Sequence, residues 1–392
     1  MILPTPGATA TGGSGTLPHN DHVPGYLDSA SSEPLSARAR ETLLAAYDAG
    51  WADPLRLHDP ARRARLLLDN ARAATAEALG VRDDEVSLTP SGTQAVHLGV
   101  LGLLRGRREV ATRVVHSAVE HSAVFAAVRW AEVGSTAVGV DPSGRVELDA
   151  LRAALAEPAA LVAVQQANPE VGTLQPLDDV ADAAAGVPLL VDACATGTRL
   201  PLPRHWDVAA LSAHKWGGPA GVGVLLVRRG ARWRPPWPTD DRVDHRVAGF
   251  ENVPAALAAA AALQERVAER DSLAQRHARL AERLRGHLAG FEDVDVHGPA
   301  DPGLRLPHLV SFSFLYVDGE ALVQALAERG WSVASGSACT SSAMEPSHVL
   351  VAMGALTHGN ARVSFAADTT EDDVDRLAAD LRAVVDDLRA RL

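Results

Sequence analysis

Lysine is almost absent from this chain of 392 residues: Lys215 is the only lysine among 37 lysine and arginine residues. Cysteine is equally scarce, and Cys194 and Cys339 alone cannot form a disulfide scaffold. No apolar run approaches the ~18 residues that a membrane-spanning helix needs. The first 20 residues lack a basic region followed by a continuous apolar stretch, so we expect no signal peptide. We therefore expect a cytoplasmic protein that does not enter a membrane.

A long basic run is also missing, and the formal net charge is −12. Binding to nucleic acid is not expected of such a chain, because phosphate contacts need clustered lysine and arginine. What is present is a composition of 47% hydrophobic and 22% charged residues. That composition and length fit one or two globular domains with a sizeable core.

The single lysine has two readings. A GC-rich genome favours arginine codons, and an exposed lysine is easily replaced by arginine. A lysine that survives such a bias can be one that arginine cannot replace, because lysine can lose its proton and act as an amine nucleophile whereas arginine stays charged. The neighbours of Lys215 must decide between these readings.

Short β-branched runs alternate with Ala-, Leu- and Arg-rich helical stretches from about Tyr26 onwards. This alternation predicts a mainly parallel, seven-stranded sheet with helices on both faces. The strand segments are 85–89, 112–117, 135–140, 160–167, 187–193, 208–213 and 222–229. Ligands of such sheets bind at the carboxyl ends of the strands.

The chain divides by pattern into three parts. Residues 1–25 are predicted to be a flexible tail, 26–260 a large α/β domain and 261–392 a smaller α+β domain. One long helix over 254–289 is expected to lead into the smaller domain. There we predict strands at 308–314, 331–335 and 361–365 and helices at 319–329 and 370–392.

Three features group around the ends of these strands. Lys215 follows a strand and precedes a Gly-rich turn, and Asp192 ends the apolar run VPLLVDA, where a carboxylate needs a partner. Ser91, Gly92 and Thr93 stand between a strand and a helix, which suits a phosphate. Each has a plainer reading, as a loop lysine or as ordinary helix caps. Together, a lysine amine, a buried carboxylate and an anion cup suggest pyridoxal 5′-phosphate, with His121 stacked on its ring.

Cys339 lies in the small, polar stretch SGSACTSSAMEPSHVL, an unusual setting for a buried cysteine. In the motifs that it carries, the chain resembles the group I cysteine desulfurases. These motifs are SGSACTS, SAHKWGGPAGVG, SGTQA, VEHSAV, NPEVGT, VDA, ENVPAAL and ARVSF. These enzymes share the pyridoxal-phosphate fold type I with the class V aminotransferases. The resemblance runs from Tyr26 to the C-terminus.

The resemblance implies a role for each matching residue. Lys215 would form the Schiff base with the cofactor and act as a base, and His121 would assist proton transfer. The cofactor would be held by Gly92, Thr93, His121, Asp192, Ser212, His214 and Lys215. Asn168 and Arg362 would bind the substrate, and Arg362 would grip its carboxylate. Cys339 would take the sulfur of L-cysteine as a persulfide, leave L-alanine, and pass the sulfur to an acceptor protein or small molecule. The family further implies a homodimer, and no metal ligand is assigned.

Three positions depart from the family pattern. Pro169 replaces the second asparagine of an Asn-Asn-Glu motif. Ala195 stands where a glutamine donates to the cofactor ring oxygen, and Phe250 where a threonine reaches the phosphate in the partner subunit. Two other functions therefore remain open: a C–S lyase acting on another sulfur-containing amino acid, and a catalytically silent scaffold for sulfur transfer. Cys194 is expected to be a small core residue without a role.

Overall fold

The computed structural model describes residues 24–238, 244–335 and 346–391. Cys339 and nearly all of the predicted N-terminal tail lie outside these described residues. The described chain is α/β, as the sequence predicts.

A seven-stranded sheet forms the centre of the structure, and all seven predicted strands belong to it. Its spatial order is β1-β7-β6-β5-β4-β2-β3. The pairs among β2 to β6 are parallel, whereas β7 runs antiparallel to both β6 and β1. The strands are β1 (Val86–Thr89), β2 (Val114–Ser117), β3 (Ser135–Val138), β4 (Leu161–Ala163), β5 (Leu189–Asp192), β6 (Val208–Ser212) and β7 (Gly223–Val227).

Helices cover both faces of this sheet. They are α1 (Ala37–Ala49), α2 (Asp59–Leu79), α3 (Gly92–Arg107), α4 (Ser122–Trp130), α5 (Leu148–Ala154), α6 (Leu177–Ala184) and α7 (Val253–Ala268). Alternate residues of β6 divide between two apolar layers: Val208 and Ala210 pack with α3 and α4, and Ala209 and Leu211 pack with α2 and α7. This two-residue period explains why the buried strands are apolar throughout.

A second, antiparallel sheet has the order β10-β9-β8 and packs against its own helices. Its strands are β8 (Val294–Val296), β9 (Leu309–Phe314) and β10 (Asn360–Ser364), and the helices that follow α7 are α8 (Arg270–Leu288), α9 (Gly319–Glu328), α10 (His348–Met353) and α11 (Glu371–Ala390). Residues of α8, α9 and α11 share one apolar cluster with Phe312 and Phe314 of β9.

The prediction of one long helix over 254–289 is wrong, because the structure has α7 and α8 separated at Glu269. The hydroxyl of Ser272 donates to the main-chain oxygen of Glu269 at 2.8 Å, in addition to the bond from the N–H of Leu273 at 3.0 Å, and such an added side-chain bond often bends a helix. The predicted strand at 331–335 does not form a regular strand of the sheet either. Ser332 and Ala334 each make one isolated bridge, to Tyr26 and Arg362. The short strand β8 was not predicted, since three residues give too little pattern.

The predicted division between residues 260 and 261 falls inside α7, and the two-domain assignment stays a prediction. Within the described ranges, no helix combines the length and apolar character needed to cross a membrane.

Candidate active site

One cavity of about 250 Å³ lies beyond the carboxyl ends of β4, β5 and β6. Eight of the residues that the sequence singled out line it, and these are Gly92, Thr93, His121, Asp192, Ser212, His214, Lys215 and Arg362. They come from five separate segments of the chain, so the fold alone brings them together.

Lys215 is placed by a single 3₁₀ turn, Ala213–Trp216, directly after β6. The turn ends at Gly217, whose φ of 75° is the left-handed conformation that glycine adopts most easily. The side chain of Trp216 is buried, and its indole N–H donates to the main-chain oxygen of Ala259 in α7 at 3.1 Å. The lysine is therefore held on a rigid turn beside a packed helix.

Asp192 is the last residue of β5 and is buried. Its Oδ1 accepts a hydrogen bond from the main-chain N–H of Cys194 at 2.9 Å. The carboxylate therefore serves the local turn, as the plainer reading of the sequence allowed, and it also lines the cavity.

An anion cup lies at the start of α3. Ser91 caps the helix by accepting from the N–H of Gln94 at 3.0 Å, while the N–H groups of the first helical turn have no acceptor within the helix. A Cβ atom on Gly92 would lie only 2.6 Å from the Cβ of Ser212. Opposite, the hydroxyl of Ser212 lies 3.1 Å from Nδ1 of His214.

His121 precedes α4 and caps it, because its Nδ1 accepts from the N–H of Ala123 at 3.1 Å. In the neutral ring the proton therefore resides on Nε2. Burial lowers the pKa of His121, and the nearby Asp192 opposes that shift. The ring is thus neutral around pH 7, with Nε2 as its donor nitrogen.

Arg362 in β10 brings the smaller sheet into the cavity. Its guanidinium donates to the main-chain oxygen of Pro169 at 3.0 Å, to Asp28 at 2.7 Å and to the hydroxyl of Ser31 at 2.6 Å. Its buried Nε has no partner among the described residues. The cation is held in place with donor capacity to spare.

Asn168 is the one predicted and described site residue that does not line the cavity. Its Oδ1 accepts from the N–H groups of Glu170 and Val171, and its Nδ2 donates to the main-chain oxygen of Val119 at 3.2 Å. The neighbouring Pro169 lines the cavity instead. The amide of Asn168 therefore shapes the wall, and its predicted contact with substrate stays a prediction.

The other two departures from the family pattern have different surroundings. Ala195 lines the cavity without any polar atom on its side chain. Phe250 is 55% exposed, next to Gly249 with a φ of 100°.

Sequence reasoning missed Gln165, which lines the cavity. Cys194 packs against the apolar layer of α3 and α4, as expected of a core residue, and it also lines the cavity. Gln165 stands in the predicted strand 160–167, where a polar residue at the carboxyl end was the same signal that identified Asp192. Burial raises the pKa of the Cys194 thiol well above its ordinary value, and Asp192 adds to that shift. Cys194 is therefore a thiol and not a thiolate at neutral pH.

Known proteins resemble this chain over nearly its whole length. The family model for aminotransferase class V matches residues 25–377. The IscS-like cysteine desulfurase of Mycobacterium tuberculosis is 36% identical, covering 89% of this chain and 93% of its own length. Cysteine desulfurase IscS of Dictyoglomus turgidum is 31% identical, covering 93% and 95%. A solved structure described as a NifS-like protein superimposes with a TM-score of 0.85 at 26% identity, covering 93% of this chain and all of that one.

Proposed function

The chain belongs to the aminotransferase class V family and is a cysteine desulfurase, and we propose that it uses pyridoxal 5′-phosphate to convert L-cysteine to L-alanine and a persulfide on Cys339. The observation that carries this proposal is the convergence of Lys215, Asp192, His121 and Arg362 on one cavity.

The residues present fit the cofactor. The phosphate group would be bound by the start of α3 at Gly92 and Thr93 and by the side chains of Ser212 and His214. Gly92 leaves no room for a side chain there, so the main chain itself faces the cavity. Asp192 supplies the carboxylate for the pyridine nitrogen, and Lys215 the amine for the aldehyde. When bound, pyridoxal phosphate supplies that aldehyde and a ring that takes up electrons from the substrate carbons.

Each side chain then has one task. Asp192 would keep a proton on the ring nitrogen of the cofactor, and Lys215 would remove the proton from the substrate α-carbon. Neutral His121 would assist proton transfer by donating a hydrogen bond from Nε2. Arg362 pairs with the substrate carboxylate, and the planar guanidinium suits a two-pronged contact. Since Asp28 and Ser31 also hold Arg362, its position is set before substrate arrives.

The sulfur step falls to Cys339, which lies outside the described residues. An S–S bond forms between its sulfur and that of the substrate while the substrate C–S bond breaks. The electron pair of the broken bond stays with the carbon fragment, which takes up a proton to become the methyl group of alanine. The persulfide then passes to an acceptor protein or small molecule.

A cytoplasmic homodimer completes the proposal. Trp51 and Phe250 are both large and exposed. Their segments are neighbours: Gly50, which precedes Trp51, lies so close to Val253, three residues after Phe250, that a Cβ on Gly50 would be 3.2 Å from it. Exposed apolar residues grouped in this way favour an interface with a second copy.

Incubation of the cofactor-loaded protein with L-cysteine and a thiol reductant tests the function. We expect alanine and sulfide in equal amounts, and no sulfide release from Cys339→Ser. Pyruvate and ammonia instead would identify a C–S lyase, and a protein without cofactor or product would be a scaffold. Alanine formation at the wild-type level by Cys339→Ser would overturn the persulfide step.

A further inference from the structure

Glu120 is a buried acid that the proposed chemistry does not use. It stands directly before His121 in the turn from β2 to α4, and its side chain is 0% exposed. A carboxyl group removed from water needs partners for both oxygens or must give up its charge.

The first oxygen of Glu120 ties two segments together. Oε1 accepts from the main-chain N–H of Gln165, just beyond β4, at 2.8 Å. The side chain of Gln165 in turn donates to the main-chain oxygen of Val119 at 2.5 Å. Two bonds thus fix the residues before His121 against the cavity wall.

The main chain of Glu120 ties in a third segment. Nε2 of His348, at the start of α10, donates to its carbonyl oxygen at 2.9 Å. His121 is consequently anchored on one side through Glu120 and on the other by its own cap on Ala123. The main chain that carries the ring is thereby fixed, and the ring cannot turn without breaking its bond from Ala123.

The second oxygen, Oε2, is buried and has no hydrogen-bond partner among the described residues. Burial raises the pKa of Glu120 well above its ordinary value, and the negative Asp192 raises it further against the bond from Gln165. Of the titratable residues around it, Asp192 at the end of β5 acts on its pKa, His121 follows it in the chain, and His348 in α10 binds its main-chain oxygen.

We propose that Glu120 is a positioning residue: its bonds to Gln165 and His348 hold the segment that carries His121, and its buried oxygen Oε2, which has no partner among the described residues, carries a proton. This inference rests on the proposed function for the role of His121. A charged Glu120 would place a second negative charge near Asp192 and compete for the proton on the ring nitrogen.

Glu120→Gln and Glu120→Ala test the proposal, because an amide keeps the shape, the neutrality and the acceptor oxygen of the acid, whereas alanine keeps only the neutrality. We expect kcat for alanine formation within about twofold of wild type in Glu120→Gln, and a loss on the order of tenfold in Glu120→Ala, with KM for cysteine little changed. The rescue by glutamine separates positioning from mere folding. Equal losses in both variants would overturn the proposal.

A second readout needs no cofactor. A neutral Glu120 has a higher pKa in the folded than in the unfolded chain, so wild type loses stability as pH rises from the ordinary glutamate pKa to the folded one. Over that range the unfolding constant of the apoprotein should rise by up to about tenfold per pH unit more in wild type than in Glu120→Gln. Identical pH dependence would contradict a neutral Glu120. This measurement also decides the point if wild type forms no alanine and the proposed function fails.

Glu85 provides the matched control. It is buried, but both its oxygens accept main-chain N–H groups, from Arg82 at 3.1 Å and Arg229 at 2.9 Å. Glu85→Gln would turn an amide nitrogen towards one of these donors. We expect it to lower stability while leaving kcat of the folded fraction unchanged, the opposite of Glu120→Ala.

Discussion

A guanidinium nitrogen of Arg199 lies 3.0 Å from the main-chain oxygen of Lys215. The same side chain pairs with the buried carboxylate of Glu33, which Arg266 also approaches to 3.4 Å. The main-chain N–H of Glu33 donates to the oxygen of His214 at 2.7 Å. A buried ion pair therefore holds the turn that carries the lysine. The flanking glycines alone would leave the backbone of this turn free to change conformation.

Arg199→Met should lower both stability and activity, because Lys215 loses a hydrogen bond and Glu33 loses a close partner. Breaking a buried pair costs about 3 kcal/mol, and we expect urea unfolding of the apoprotein to report a loss of that order. Arg199→Lys should lose less stability and activity, since lysine keeps the positive charge, although it lacks the planar guanidinium that binds two acceptors at once. Arg56→Met, at an exposed pair with Asp53, is the control and should change stability by under ~1 kcal/mol. Equal effects of Arg199→Met and Arg56→Met would refute the role.

The single lysine allows a labelling test without a background. Borohydride reduction of the cofactor-loaded protein should fix the cofactor on Lys215, and peptide mass spectrometry should find it there. Lys215→Arg should carry no label on any side chain, because arginine keeps the charge but is not a nucleophilic amine. A label on any group other than the N-terminal amine of that variant would rule out the assignment.

Gly92→Ala should weaken cofactor binding, because its Cβ would lie 2.6 Å from the Cβ of Ser212 and 2.9 Å from the sulfur of Cys194. We expect the cofactor dissociation constant, measured by absorbance titration, to rise on the order of tenfold. Gly286→Ala in α8 is the control, since nothing lies within 4 Å of its Cβ. There alanine should stabilise the helix by about 0.5–1 kcal/mol and leave cofactor binding unchanged.

Local pattern was enough to predict the seven strands of the large sheet, because each contains β-branched residues in a short run between helical stretches. Six of them are buried throughout, and the edge strand β3 is mostly not. It was also enough to place Asp192 and Lys215 at the same edge, since strand ends of a parallel sheet meet there. The break at Glu269 could not be seen, because the Ala and Leu spacing continues across it and the bond from Ser272 leaves no mark in hydrophobicity.

Tertiary contacts account for the rest of what the sequence did not reveal. Glu120 reads as one polar residue before a histidine, and only the approach of Gln165 and His348 from distant segments makes it a buried junction. The bonds of the Asn168 amide to the main chain were equally hidden. A motif gives the type of residue at a position, whereas the packed chain decides where its side chain points.

Phe250→Glu should shift the protein from dimer to monomer. A charged side chain in place of a 55% exposed aromatic would be desolvated at an interface with a second copy. Light scattering coupled to size-exclusion chromatography measures the mass directly. Val110→Glu, an exposed apolar site just after α3, is the control and should leave the dimer intact. A wild-type monomer at micromolar concentration would contradict the proposed homodimer.

Acid should destabilise the fold through His277 in α8. Its side chain is 6% exposed and its Nε2 donates to the main-chain oxygen of Ala366 at 3.1 Å. Burial lowers the pKa of His277 to about 4, with the cations of Arg199, Arg276 and Arg266 adding to the shift. As pH falls below ~6.5, the pKa of His277 in the unfolded chain, the unfolded chain binds a proton. The folded chain does not bind this proton until the pH reaches about 4.

The stability lost between those two pH values is on the order of 3 kcal/mol. His277→Gln should remove this part of the acid sensitivity, because a glutamine amide can still donate to Ala366 but does not titrate. Urea unfolding of wild type and variant at pH 7 and pH 4.5 measures the difference. His205→Gln at an exposed position is the control and should unfold like wild type at both pH values. The same loss on acidification in His277→Gln as in wild type would show that another group carries the effect.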